Sequence, residues 1–193
     1  MIKYFRKIAS DVDISPLLSQ ISANEGMFRK IKPDILPWQP GYEHRELQAI
    51  TLRMTPFKDD VFDNRQSYLE AIDELIAFDT EWFEHFSEAR AFIYTLVDYA
   101  KGGHVGRVGI ARLPPGGKVY GHYDEGLSAD FYTRYQVVLE GGKDNWIHCG
   151  VKDGEQEHVE MMPGEIWTFN HKFWHYFTNR SNTNRTYLNI DLR

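Results

Sequence analysis

Apolar positions recur with two different periods along the 193-residue chain, and the change falls near residue 104. From Val105 onward, short β-branched and aromatic runs alternate with turn signals. The runs are VGRVGIARL (105–113), KVYGHYD (118–124), RYQVVLE (134–140), NWIHCGV (145–151), HVEMM (158–162), EIWTFN (165–170), WHYFTN (174–179) and RTYLNIDL (185–192). Between them lie Pro114-Pro115-Gly116-Gly117, Gly141-Gly142, Lys152-Asp153-Gly154, Pro163-Gly164 and Ser181-Asn182-Thr183-Asn184. About eight short strands at close spacing predict a β-sandwich or jelly roll. A parallel α/β sheet is excluded, because the gaps are too short for crossover helices.

The first half reads differently. Tyr68, Leu69, Ile72, Leu75, Ile76 and Phe78 recur at helical spacing with acids between them, which predicts helix from Ser67 to about Tyr99. Ser67 and Glu70 fit a capping box. A break is expected near Asp79-Thr80, with a second helix running to Ala100 and closed by Gly102-Gly103. Ser15-Pro16 starts a short helix reaching Ile21, and Pro33, Pro37, Pro40 and Gly41 make 32–42 an irregular connection. Glu46–Met54 alternates as a strand that Pro56 ends. The expected architecture is therefore mainly β with a helical N-terminal part (α+β). In it, 1–104 forms a helical and irregular support with one or more strands, and 105–193 forms a cupin-like jelly-roll core carrying the site, all in one domain.

Composition narrows the function. A content of 42% hydrophobic and 15% aromatic residues is enough for one sizeable core. A net charge of -6 without a basic run argues against nucleic-acid and anionic-membrane partners. The N-terminus lacks the apolar centre of a signal peptide, and no run approaches the ~20 apolar residues of a spanning helix. The single cysteine, Cys149, excludes a disulfide framework and a Cys-based zinc site. A reducing cytoplasmic setting is expected.

His122, Asp124 and His175 carry the chemistry. Two histidines and one carboxylate in the order H-x-D … H suit mononuclear non-haem iron(II), with three coordination positions left for a keto acid and dioxygen. In a strand, residues i and i+2 share a face, so His122 and Asp124 can reach one ion. A jelly roll sets an early strand beside a late one, so a distant third ligand is natural. His175 is preferred over His171, which sits in a turn beside Asn170. Arg185 is the cation for a distal keto-acid carboxylate, provided its strand pairs beside that of His175. Arg134 is either a second carboxylate contact or a strand-edge charge. Tyr120, Tyr123 and Trp146 are the chosen pocket-contact aromatics; Trp167, Phe169 and Trp174 are more simply read as packing. Arg53, Arg107 and Arg112 are candidates for a substrate carboxylate. His44, His85, His104, His148 and His158 lack paired spacing, and His44 lies in a loop that could face a cleft.

The segment Leu113–Arg193 resembles the aspartyl/asparaginyl β-hydroxylase-type group of iron(II)/2-oxoglutarate dioxygenases, which includes free-proline hydroxylases. The matching features are the P-P-G-G turn before H-Y-D, then R-Y-Q-V-V-L, P-G-E-I-W-T-F-N, H-Y-F-T-N and R-T-Y-L-N-I-D-L-R. The stretch His44–Arg53 resembles a preceding element of the group. The resemblance implies a double-stranded β-helix, iron at His122, Asp124 and His175, and 2-oxoglutarate held by Arg185 with help from Arg134. Two residues after that early arginine the group often has His. Here Gln136 stands there, and its amide can still donate to a carboxylate. The implied activity is a hydroxylase using Fe(II), 2-oxoglutarate and O2 on a small substrate, most simply an amino acid or derivative. The alternatives are a hydroxylase of Asp or Asn side chains in a peptide or protein, a non-oxidative cupin-like metal protein, and an interaction protein on the same fold.

Overall fold

The computed structural model describes residues 3–30, 46–56 and 65–193; the connection at 32–42 and His44 lie outside the described residues. In chain order the elements are β1 (Phe5–Ala9), α1 (Ser15–Ala23), β2 (Arg29–Lys30), β3 (Gln48–Met54), α2 (Arg65–Asp73), β4 (Phe78–Asp79) and α3 (Ala89–Ala100). There follow β5 (Val105–Leu113), β6 (Lys118–His122), α4 (Leu127–Phe131), β7 (Thr133–Glu140), β8 (Asn145–Gly150), β9 (Gln156–Glu160), β10 (Ile166–Phe169), β11 (Trp174–Asn179) and β12 (Arg185–Leu192). Short 3-10 turns cover Glu25–Met27 and Glu81–Phe86.

The strands form two antiparallel sheets. The larger runs β1-β10-β7-β12-β5-β3-β2, with β4 on the free side of β3. The smaller runs β6-β11-β8-β9. This is the jelly-roll arrangement, and each of the eight runs from Val105 onward became a strand. No helix among the described residues is long and apolar enough to cross a membrane.

Period-2 alternation divides the larger sheet between two cores. On β12, Leu188, Ile190 and Leu192 point outward and join Leu17, Ile21, Phe92, Ile93 and Leu96 of the helices. Val137, Leu139, Val108 and Ile110 of β7 and β5 do the same. Tyr187 of β12 and Val138 of β7 face the other way, toward Val119, Ile147, Cys149 and Phe177 of the smaller sheet. The outer core braces the sheet, as expected. The inner core is the wall behind the site, and each fully buried apolar side chain in it contributes on the order of 1.5–3 kcal/mol.

Several expectations from the sequence change. β1 was not expected, because FRKIA is short and half polar; it is a strand through pairing with β10. β2, β3 and β4 also pair into the larger sheet, β3 directly beside β5. Ser67 lies inside α2, which starts at Arg65, so it is not a helix cap. The helical spacing from Leu75 to Phe78 is not used. Phe78 pairs with Met54, and Arg53 donates to the Ala77 carbonyl at 2.6 Å, which holds this stretch against β3. Strand pairing has outweighed local periodicity here.

Candidate active site

β6 and β11 are neighbours, and His122 and His175 are direct partners in their register. The next pair is Val119 with Phe177, so β6 spends one extra residue there. This bulge turns His122 to the same inward face as Val119, three positions earlier, which alternation alone would forbid. Gly121 lies in the bulge. A Cβ on it would come within 2.2 Å of the Trp174 indole, so the close approach of the two strands requires glycine.

Asp124 reaches the histidines by another route than the expected one. β6 ends at His122, so Asp124 belongs to the following loop and strand alternation does not aim it. Its amide donates to the His171 carbonyl at 3.2 Å, and Arg134 donates to its Oδ2 at 2.5 Å. The other oxygen, Oδ1, lies 3.4 Å from His122 Nε2 and 3.7 Å from His175 Nε2. One donor atom from each of the three residues lies within 4.8 Å of the others. His122 Nδ1 is 2.7 Å from the Tyr120 carbonyl and His175 Nδ1 is 2.9 Å from the Phe173 carbonyl. An imidazole that donates through Nδ1 to a carbonyl presents the Nε2 lone pair outward, the tautomer of a metal ligand.

The electrostatics fit the same use. Burial pushes the His175 imidazole down to about 4, with His122 adding to the effect against Asp124. Burial alone would raise the Asp124 carboxyl, but Arg134 and the two imidazoles outweigh it and hold the group well below the usual carboxylate range. A neutral imidazole and an ionised carboxylate are the forms that bind a cation. His171 is placed elsewhere: its Nε2 lies 2.9 Å from the Ala129 carbonyl of α4.

Arg185 is 2% exposed, and no hydrogen bond or ion pair reaches its guanidinium among the described residues. Only aromatic faces meet it, Phe177 at 4.5 Å and Tyr187 at 4.8 Å. Burial pushes it down to about 10. Its strand does not pair beside β11. β12 lies in the opposite sheet between β5 and β7, and Arg185 meets Phe177 of β11 across the inner core. Phe177 in turn packs edge-on to His175 at 6.1 Å.

Arg134 is more than an edge charge. Its Nε and Nη2 donate to Asp191 at 2.8 and 3.2 Å while Nη1 holds Asp124. Gln136 is buried, donates through Nε2 to Asn189 at 3.1 Å, and has an Oε1 without a partner among the described residues. Tyr120 donates its hydroxyl to Glu46 at 2.9 Å. Tyr123 is 44% exposed and packs edge-on to Trp174 at 5.2 Å. Trp146 does not face the site. Its neighbour Ile147 points into the inner core, so alternation turns Trp146 to the outer face of the smaller sheet, against His158. Arg53 is engaged with Asp79 and Arg112 with Glu25, and Arg107 donates to Ser128 at 2.8 Å. The residue missed by sequence reasoning is Asp191. Its only signal was an acid at an inward position of β12, on the same face as Arg185, Tyr187 and Asn189.

A cavity of about 680 Å³ lies apart from the three ligand-type residues, lined by Arg53, Phe83, Tyr94, His104, Phe131 and Tyr132 among others.

Two solved structures share the fold. A Pseudomonas putida prolyl-4-hydroxylase aligns over 98% of this chain and 91% of its own, at 13% identity and a TM-score of 0.53. A Burkholderia pseudomallei oxidoreductase of the 2OG-Fe(II) oxygenase family aligns over 92% of this chain and 79% of its own, at 12% identity and a TM-score of 0.57. No curated protein sequence matches the chain. The family model described as aspartyl/asparaginyl beta-hydroxylase matches residues 65–193, from α2 through the metal-type triad to Arg185 and the C-terminus, and the chain belongs to that family of hydroxylases.

Proposed function

We propose that this protein is an iron(II)- and 2-oxoglutarate-dependent dioxygenase that hydroxylates an unactivated C–H bond of a small substrate, an amino acid or a derivative of one. One observation carries the reading: a buried arginine with no anion beside it among the described residues, in the same inner core as a His-Asp-His set. A lone buried cation is costly unless a ligand completes it. The distal carboxylate of a keto acid does so, and a guanidinium fork matches it in two hydrogen bonds.

The donor set suits iron(II) on chemical grounds, since imidazole and carboxylate favour it and no thiolate competes. His122, Asp124 and His175 would hold the metal, and Arg185 the far end of 2-oxoglutarate, with Gln136 on the inward side of β7 opposite Asn189. The metal, keto acid and dioxygen together supply the oxidant that replaces C–H by C–OH, with 2-oxoglutarate leaving as succinate and CO2. The chain's own work is orientation. The two histidines are fixed by their Nδ1 bonds to backbone carbonyls. The apolar wall of Phe169, Phe177 and Tyr187 keeps water from one side. Arg107, tied to Ser128 of α4, is the best placed of the three arginines for a substrate carboxylate.

The test is succinate formation by protein loaded with Fe(II) and supplied with 2-oxoglutarate, across free amino acids and Asp- or Asn-containing peptides. Mass spectrometry reads the gain of one oxygen. A free amino acid hydroxylated with matching succinate is the expected result. Turnover of peptides alone would move the substrate to Asp or Asn side chains. Metal binding without any 2-oxoglutarate binding would instead mean a non-oxidative cupin-like protein.

A further inference from the structure

Asp191 and Arg134 are direct cross-strand partners on β12 and β7. Asp191 is buried, and both its oxygens accept from one edge of the Arg134 guanidinium. A bidentate pair of this kind fixes the plane of the arginine. The remaining nitrogen, Nη1, is thereby aimed at a single atom, Asp124 Oδ2. Oδ1 is left facing the two imidazole nitrogens. The trio carries two negative charges against one positive. Each guanidinium nitrogen of Arg134 already donates to a carboxylate, whereas among the described residues no anion reaches Arg185. Both arginines are inside the same jelly roll, so the contrast assigns them different work.

We propose that Arg134, locked by Asp191, is a positioning residue for Asp124 rather than an anchor for 2-oxoglutarate. It ties up Oδ2 so that the carboxylate offers the metal one oxygen. Asp124 comes from a loop beyond the end of β6 and has no strand to aim it. A free carboxylate there would swing away from the two imidazole nitrogens and hold the metal less tightly. Asp191 touches neither histidine nor Asp124, so its effect must pass through Arg134. The role rests on the reading of the triad as a divalent-metal site.

The experiment is calorimetric titration of the full chain with Mn(II), then with 2-oxoglutarate on the Mn(II)-saturated protein. The proteins are wild type, Asp191→Asn and Arg134→Lys. Both variants should bind Mn(II) about 10- to 100-fold more weakly, the range seen when groups that orient metal ligands are removed. Their 2-oxoglutarate affinity at saturating metal should be unchanged. Co(II)-substituted protein gives a readout that a purely structural role would not move: its d–d absorption should change in both variants as Asp124 alters its mode of binding. If Asp191→Asn melts early, Arg134→Lys carries the same readouts. Unchanged Mn(II) affinity with loss of 2-oxoglutarate binding would overturn the proposal and make Arg134 a cosubstrate ligand. A wild type that takes up no Mn(II) would overturn the metal reading and this role with it.

Discussion

Replacing Arg185 by Met separates a structural arginine from one held ready for a ligand. Burial pushes its guanidinium down to about 10, well below the usual arginine range. At ~1.36 kcal/mol per unit, keeping the charge inside costs on the order of 3 kcal/mol. The pKa is depressed and both folded and unfolded chains are charged at pH 7, so this is a cost to the fold, independent of pH near neutrality. The Phe177 and Tyr187 faces return part of it, about 0.5–2 kcal/mol each by cation–π attraction. The two sides nearly cancel. Arg185→Met should therefore leave the ligand-free protein as stable as wild type or slightly more so, although a fully buried large side chain is being replaced. Affinity for 2-oxoglutarate should fall at least about 100-fold, since two charge-assisted hydrogen bonds at ~1.5–3 kcal/mol each disappear. Urea unfolding of the metal-free protein measures the first quantity, and titration of the Mn(II)-loaded protein with 2-oxoglutarate the second. A destabilisation of several kcal/mol, or an unchanged affinity, would refute the reasoning.

Three further outcomes are expected. Gly121→Ala drives a methyl group into the Trp174 ring. It should cost about 1–3 kcal/mol as overpacking and weaken Mn(II) binding, because Gly121 and Trp174 each precede a metal-type histidine; urea unfolding and metal titration check this. The metal-free protein should lose stability in acid through His175. Its folded value of about 4 lies below 6.5, so the stabilisation from keeping it neutral is complete above pH 6.5 and drains as pH falls toward 4, by up to roughly 3 kcal/mol. Unfolding at pH 7 and 4.5 should show this component in wild type and not in His175→Gln. Trp146→Ala, on the outer face, should leave the affinities for Mn(II) and 2-oxoglutarate untouched; a change in either, read by the same titrations, would put that side chain nearer the site than its strand position does.

The β-rich half was readable because its signals are local. Runs such as RTYLNIDL and VGRVGIARL alternate cleanly and stop at Gly, Pro and Asn turns, and they became β12 and β5 with the expected ends. β1 was not readable, since FRKIA owes its strand state to β10. The stretch 75–78 misled for the same reason, because its partner β3 lies some 25 residues back.

The triad and Arg185 stood out as residue types at a spacing, and hydrophobic pattern alone assigned them to a jelly roll. How they meet depends on contacts between distant parts of the chain. A bulge in β6 turns His122 inward, a loop bond to His171 brings in Asp124, and β12 delivers Arg185 from the opposite sheet rather than from beside β11. Trp146 failed as a pocket residue for a simple reason: alternation says that neighbours face apart, but only the packing of Ile147 says which face is inside. The charge balance was out of reach too. Arg134 and Arg185 are equivalent letters, and their surroundings alone leave one held between two carboxylates and the other buried without an anion among the described residues.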